Sequence, residues 1–127
     1  MENIHKLAFK TAEATHCAGE QGKYWEAHDR FFNNQTTLGR KDLTAHAQAL
    51  GLDVAAFDEC VDSGRHAARV RKDLADSQKY GITSTPTFVL GLSDANGSQM
   101  KVVTRIRGSK PYEAFKEAID SLLSTAK

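Results

Sequence analysis

The sequence predicts an α/β domain in which five helices precede a β-hairpin and a sixth helix closes the chain. Three observations carry this. Apolar residues recur at helical spacing in successive segments before Gly81, most of them ended by a glycine. Two short β-forming runs flank the turn sequence Asp94-Ala95-Asn96-Gly97. After them, Tyr112, Phe115, Ile119, Leu122 and Leu123 form one more helical stripe. Bulk properties agree: 127 residues with 40% hydrophobic and 26% charged content bound a single globular domain, 1–127, with a real core. A formal net charge of +1 gives no reason to propose nucleic acid or an anionic membrane as partner. No stretch approaches the apolar length that spans a bilayer. There is no internal repeat, low-complexity segment or linker.

In order, the first helix covers about residues 3 to 18, with Ile4, Leu7, Ala8, Thr11 and Ala18 on one face and Cys17 on its flank. Gly19 ends it and Gly22 permits a bend. A second helix, about 23 to 34, places Trp25, His28 and Phe32 on one side, with Tyr24 and Phe31 beside them; this aromatic face is expected to be core. A polar loop over 33–39 leads to a third helix, about 40 to 50, carrying Leu43, Ala47 and Leu50. Gly51 ends it. Asp53 is the expected N-cap of the fourth helix, because its carboxylate can accept orphan N–H groups there, and Leu52 and Phe57 sit at staple positions. Cys60 projects near Phe57, and Gly64 breaks the helix. The fifth helix, about 65 to 80, has an apolar stripe of Ala67, Val70 and Leu74. Its arginines and lysines alternate with Asp73 and Asp76, as on a solvated face. The strand Thr87–Gly91 and the return strand Met100–Arg107 make a hairpin with one buried and one wet face. Ser109 is the expected cap of the last helix, with Pro111 in its first turn and the Tyr112–Leu123 stripe packed on the hairpin.

The chain is organised around Gly81-Ile82-Thr83-Ser84-Thr85-Pro86-Thr87-Phe88-Val89-Leu90-Gly91. A charged helix stops at Gly81, a polar turn follows, and an apolar run begins at a proline that cannot sit inside a central ladder. Thr85 before it is pushed towards extended geometry. The words Thr85-Pro86-Thr87-Phe88 after a helix resemble the cis-proline loop of the thioredoxin superfamily. The segments Cys17 to Asp29 and Phe57 to Gly64 resemble the helical insert of DsbA-like thiol oxidoreductases. The resemblance covers roughly residues 5 to 123, in the right order.

That resemblance implies a thioredoxin-like α/β fold of DsbA type: a helix-rich insert, a β-hairpin and a C-terminal helix. In the family, a strand, a helix opening with Cys-X-X-Cys and a second strand come before the insert, whereas this sequence begins where the insert would. The N-terminal β-α-β is therefore expected to be absent. The strand near Thr87–Leu90 would then expose one unpaired edge, and an exposed apolar edge recruits a partner. A homo-oligomer, a dimer joined through that strand, is the expected consequence. The first residues lack the apolar core and cleavage site of a signal peptide. The chain is expected to be cytosolic if Met1 is the natural start, and otherwise a mature piece of a family that is often periplasmic.

Thiol–disulfide exchange needs an accessible, low-pKa thiolate and a resolving thiol. The two cysteines, Cys17 and Cys60, stand far apart and form no Cys-X-X-Cys. Cys17 lies near a helix C-terminus, where the dipole disfavours an anion, and Cys60 lies in mid-helix. They are expected to be packed thiols or the two halves of one structural disulfide, and no catalytic residue is assigned. His16, Cys17 and Glu20 could share roughly one turn with His28 nearby, but no metal-binding framework is present and no metal or other cofactor is expected. No glycine-rich phosphate loop follows a strand. What remains is peptide recognition. In the DsbA-like family the residue before the cis-proline pairs its backbone with an extended substrate; here that residue is Thr85, held by Pro86. The expected function is that of a disulfide-oxidoreductase relative, inactive alone in exchange, meeting extended peptide or unfolded protein at Thr85 and Pro86. Two alternatives stand beside it. One is a non-enzymatic module that oligomerises through its sheet edge; the other is a weak redox protein using Cys17 and Cys60.

Overall fold

The computed structural model describes residues 5 to 126. The described residues form six helices and two strands: α1 (Ala8–Gly19), α2 (Tyr24–Asn33), α3 (Arg40–Ala49), α4 (Val54–Ser63), α5 (Ala67–Lys79), β1 (Thr87–Ser93), β2 (Met100–Arg107) and α6 (Tyr112–Thr125). This is the helix-rich α/β inventory that the sequence predicts. The chain divides into two compact units whose boundary, between Asp76 and Ser77, falls inside α5.

The first unit is a helical core. Phe57, Leu43, Val61, Cys17 and Cys60 are its largest fully buried apolar side chains, and Ala14, Ala18, Ala27 and Ala47 let the helices approach closely. Asp53 caps α4 as expected, its Oδ1 accepting from Ala56 N–H at 3.0 Å. The Gln21 amide clamps that cap from the α1–α2 turn, donating to Asp53 C=O at 3.1 Å and accepting from Asp53 N–H at 2.8 Å. Gly64 ends α4 at φ 67°, a left-handed conformation that strains any residue with a Cβ. Arg40 ties α3 to α4 by donating to both Asp62 oxygens at 2.7 and 3.0 Å and to Asp58 at 3.0 Å. Those hydrogen bonds raise the Arg40 pKa, and the Asp62 carboxyl is lowered by the same guanidinium. Glu13 is buried as well: its Oε2 lies 3.0 Å from Lys10 Nζ, while its Oε1 has no hydrogen-bond partner.

Two packing expectations in this unit need correction, and a third face gains a member. In α1 the buried apolar face is Ala14, Cys17 and Ala18; Leu7 and Ala8 are exposed, so Cys17 is at the centre of the packed side. Ile4 lies outside the described residues. In α2 the buried pair is Ala27 and Phe31, whereas Trp25 is 67% and Phe32 is 63% exposed. The exposed rings contact one another instead, Trp25 on His28 at 5.2 Å and His28 on Phe32 at 4.7 Å between centroids. The reason is steric: Ala27, without bulk, permits the close helix approach that a face of large rings would hold apart. In α3, His46 joins Leu43 and Ala47 in the buried set, donating from Nε2 to Thr37 C=O at 2.8 Å and accepting from Arg30 Nε at 2.9 Å.

The second unit holds the end of α5, the hairpin and α6. Strands β1 and β2 pair antiparallel, with Thr87 opposite Arg107 and Ser93 opposite Met100. The register shifts between Leu90 and Gly91, leaving Val103 as the extra residue of a β-bulge. A Cβ on Gly91 would overlap the Lys101 backbone carbonyl, so glycine is required at the bulge by close backbone approach. The turn is closed by Asp94, which accepts from Ser98 N–H and Ser98 O–H, each at 2.8 Å. Phe115 of α6 meets Phe88 of β1 edge-on at 4.9 Å. The rest of the expected α6 stripe is not covered: Leu122 is buried, but Tyr112, Ile119 and Leu123 are exposed. Nor does Ser109 cap α6. Pro111 occupies the N-cap with extended backbone, which puts Ser109 two residues too early for its hydroxyl to serve the first turn.

Gly91→Ala is predicted to destabilise the hairpin by about 1–3 kcal/mol through overpacking against Lys101. Native-state hydrogen exchange should show faster exchange of β1 and β2 amides with α1–α4 amides unchanged; equal protection of the hairpin in both proteins contradicts it.

Candidate functional site

Two places carry chemistry, one in each unit. In the second unit, α5 gives way to the Thr85–Pro86 turn through Gly81, at φ 68°, with Ile82 N–H donating to Ser77 C=O at 2.8 Å. The Thr85–Pro86 peptide bond is cis. Pro86 C=O accepts from Gly108 N–H at 2.8 Å, which ties the turn to the end of β2, and Thr87 Oγ1 donates to Ser84 C=O at 2.6 Å. Thr85 and Pro86 are both exposed. Neither the N–H nor the C=O of Thr85 has a hydrogen-bond partner among the described residues. The sheet has two strands, so β1 has one edge paired with β2 and one edge without a strand among the described residues. Extended backbone with unsatisfied donors and acceptors is what a third strand would need.

In the first unit the two cysteines meet. Cys17, in the last turns of α1, and Cys60, in α4, form a disulfide across a sequence separation of 43. Both are 1% exposed. The sequence allows this pair but does not reveal what surrounds it. Glu20, one turn beyond Cys17, accepts from Arg65 at 3.0 and 2.6 Å and lies 2.8 Å from His66 Nε2. His16 stacks on His66 with 5.5 Å between ring centroids. Burial is the leading cause that lowers the His16 pKa, reinforced by the Arg69 charge. The hydrogen bond from Arg65, and then that from His66, hold the Glu20 carboxyl at about 2, below its ordinary 4.5. Of the residues considered for a metal, Cys17 alone belongs to the converging donor group of the described residues, and the imidazole beside the sulfurs is that of His66. His28 is engaged by Asp29 at 3.0 Å. Arg65 and His66 were missed because nothing in local spacing relates them to α1. The one available hint is their position directly after Gly64, where a turn returns the chain.

The chain matches the DSBA-like thioredoxin domain over residues 2–120, and it belongs to that family. The recognition read from the Thr85-Pro86-Thr87-Phe88 turn and the two helical segments is thereby shown. Curated relatives carry another name. Na(+)/H(+) antiporter NhaA 1 of Salinispora arenicola is 33% identical over 121 residues, 95% of this chain and 17% of that protein. Na(+)/H(+) antiporter NhaA 3 of Salinispora tropica is 32% identical over 127 residues, 100% of this chain and 18% of that protein. Na(+)/H(+) antiporter NhaA of Herminiimonas arsenicoxydans is 35% identical over 108 residues, 80% of this chain and 17% of that protein. The chain thus spans under a fifth of the length of these relatives. No helix of the described residues is long and apolar enough to cross a membrane. No solved structure matches the chain.

The Glu20 cluster predicts an acid-sensitive contribution to stability. A carboxyl whose folded pKa is depressed stabilises the fold fully above its unfolded value and loses that stabilisation as pH falls through the folded one. The loss therefore runs from about pH 4.5 down to about 2. The effect is small, because Glu20 is exposed to solvent. Urea midpoints measured across that window should fall more steeply for the wild type than for Glu20→Gln; parallel curves contradict the assignment.

Proposed function

We propose that this chain is a DsbA-like domain of the thiol–disulfide oxidoreductase type that receives extended polypeptide at Thr85, Pro86 and the open edge of β1. Its own cysteines serve the fold and not exchange. The observation that carries this reading is the buried Cys17–Cys60 disulfide, which leaves no free cysteine. A nucleophile for exchange must be an accessible thiolate, and the sequence contains no Cys-X-X-Cys to supply one. Peptide capture needs no thiol. The unpartnered Thr85 backbone and the unpaired strand edge favour it, because main-chain bonds give affinity while making little demand on the peptide sequence. The antiporter name belongs to proteins of which this chain matches under a fifth, and the reading rests on the domain family instead.

A second reading uses the open edge of β1 together with the apolar side chains the hairpin exposes. Phe88 is 42%, Val102 44% and Val103 55% exposed on the hairpin, an apolar surface that a second copy of the chain could cover by joining sheets into a dimer. Light scattering across a concentration series separates the two: a monomer throughout removes the dimer.

The peptide reading predicts an unusual mutational pattern. Thr85→Ala keeps the backbone donor and should bind a reduced, alkylated unfolded polypeptide as the wild type does. Thr85→Pro removes the N–H and should weaken binding by up to about tenfold, the loss of one main-chain hydrogen bond. Titration by fluorescence anisotropy checks both. Equal binding by the two variants, or no binding by the wild type, overturns the reading.

A further inference from the structure

We infer that reduction of the Cys17–Cys60 disulfide turns the first unit into a zinc-type metal site, its ligands the two thiolates and the imidazole of His66. This stands independently of the peptide-binding reading. The two sulfurs and a ring nitrogen of His66 lie within 4.8 Å of one another. Zinc–sulfur bonds of about 2.3 Å and a zinc–nitrogen bond of about 2.0 Å in a tetrahedron place such donors about 3.5–3.8 Å apart. The three groups already converge closely enough for small side-chain rotations to complete the set. Their positions are fixed by the fold. Cys17 and Cys60 project from α1 and α4, and the left-handed Gly64 turns the chain back so that His66 follows at the sulfurs.

The surroundings match those of a metal centre. Glu20 lies 2.8 Å from His66 Nε2 and is itself held by Arg65 at 2.6 and 3.0 Å. A carboxylate that orients a ligating imidazole is a recurring outer-shell arrangement. Two thiolates and an imidazole are soft and borderline donors, suited to zinc and not to calcium or magnesium. The sulfurs are buried while the His66 side chain is 23% exposed, so the ion would enter from the His66 side and a solvent water would take the fourth position.

The chemistry balances with a phosphine as reductant. The disulfide, a trialkylphosphine and one water give two thiols and the phosphine oxide. Binding of the divalent ion then forms two metal–sulfur bonds and releases both thiol protons to solvent. Oxidation by a disulfide donor would re-form the Cys17–Cys60 bond and expel the metal.

The test uses the whole chain, reduced with a water-soluble phosphine, freed of reagent without air, and titrated with Co²⁺ as a spectroscopic probe. The reduced wild type should bind one Co²⁺ with thiolate-to-cobalt charge-transfer absorption, and the oxidised chain should show none. His66→Gln should weaken binding by about tenfold or more, and the Cys17→Ser, Cys60→Ser double variant should lose the band. Circular dichroism follows the fold of each protein, and Zn²⁺ should raise the melting temperature of the reduced wild type but not of the double variant. No band in the reduced wild type, an equal band in the oxidised chain, or undiminished affinity in His66→Gln overturns the inference.

Discussion

The Cys17–Cys60 bond is the contact on which the helical unit depends. It joins α1 to α4 within a core that mixes four alanines with Phe57, Leu43, Val61, Phe31 and Leu52. The alanines bring the helices close but bury little area themselves, and the covalent tie adds to what the larger side chains contribute. Closing a loop of this length removes about 4 kcal/mol of chain entropy from the unfolded state, comparable to the cost of truncating one large buried residue. The polar ties around it, Gln21 on the Asp53 cap and Arg40 on Asp58 and Asp62, fix how the helices meet.

The same bond sets what the chain can do with its sulfur. Both cysteines are 1% exposed within that bond, so neither sulfur of the described residues stands at the surface. In the second unit Thr85 is exposed with no backbone hydrogen-bond partner among the described residues, and one edge of β1 carries no strand among them. His66 stands within 4.8 Å of both sulfurs and is itself linked to Glu20, which Arg65 holds.

Much of this was legible in the sequence. The hairpin turn at Asp94–Gly97, the Asp53 cap, the end of α4 at Gly64 and the burial of Phe57 and Cys60 on one side follow from local rules, and local rules suffice where chain neighbours decide the outcome. Side-chain spacing also grouped Trp25, His28 and Phe32 correctly as one face. It could not say which face would be buried, because that is decided by a neighbour far along the chain. Ala27 and Phe31 won since a small residue admits a closer helix. The α1 stripe failed for the same reason, and Ser109 failed because Pro111 holds the N-cap itself. Thr85 and Pro86 were singled out through family resemblance, and the structure adds that both are exposed and joined by a cis peptide bond. The contacts of Glu20 with Arg65 and His66 join residues some 45 positions apart, and no local pattern encodes them.

The central claim, that the two cysteines hold the fold together and do not exchange with substrates, is tested most directly by dithiothreitol-driven insulin reduction. The purified chain is run beside a Cys17→Ala, Cys60→Ala double variant and a blank containing dithiothreitol alone. The account predicts rates equal to the blank for both proteins. Turnover by the wild type that disappears in the double variant would contradict it and make Cys17 and Cys60 a redox pair.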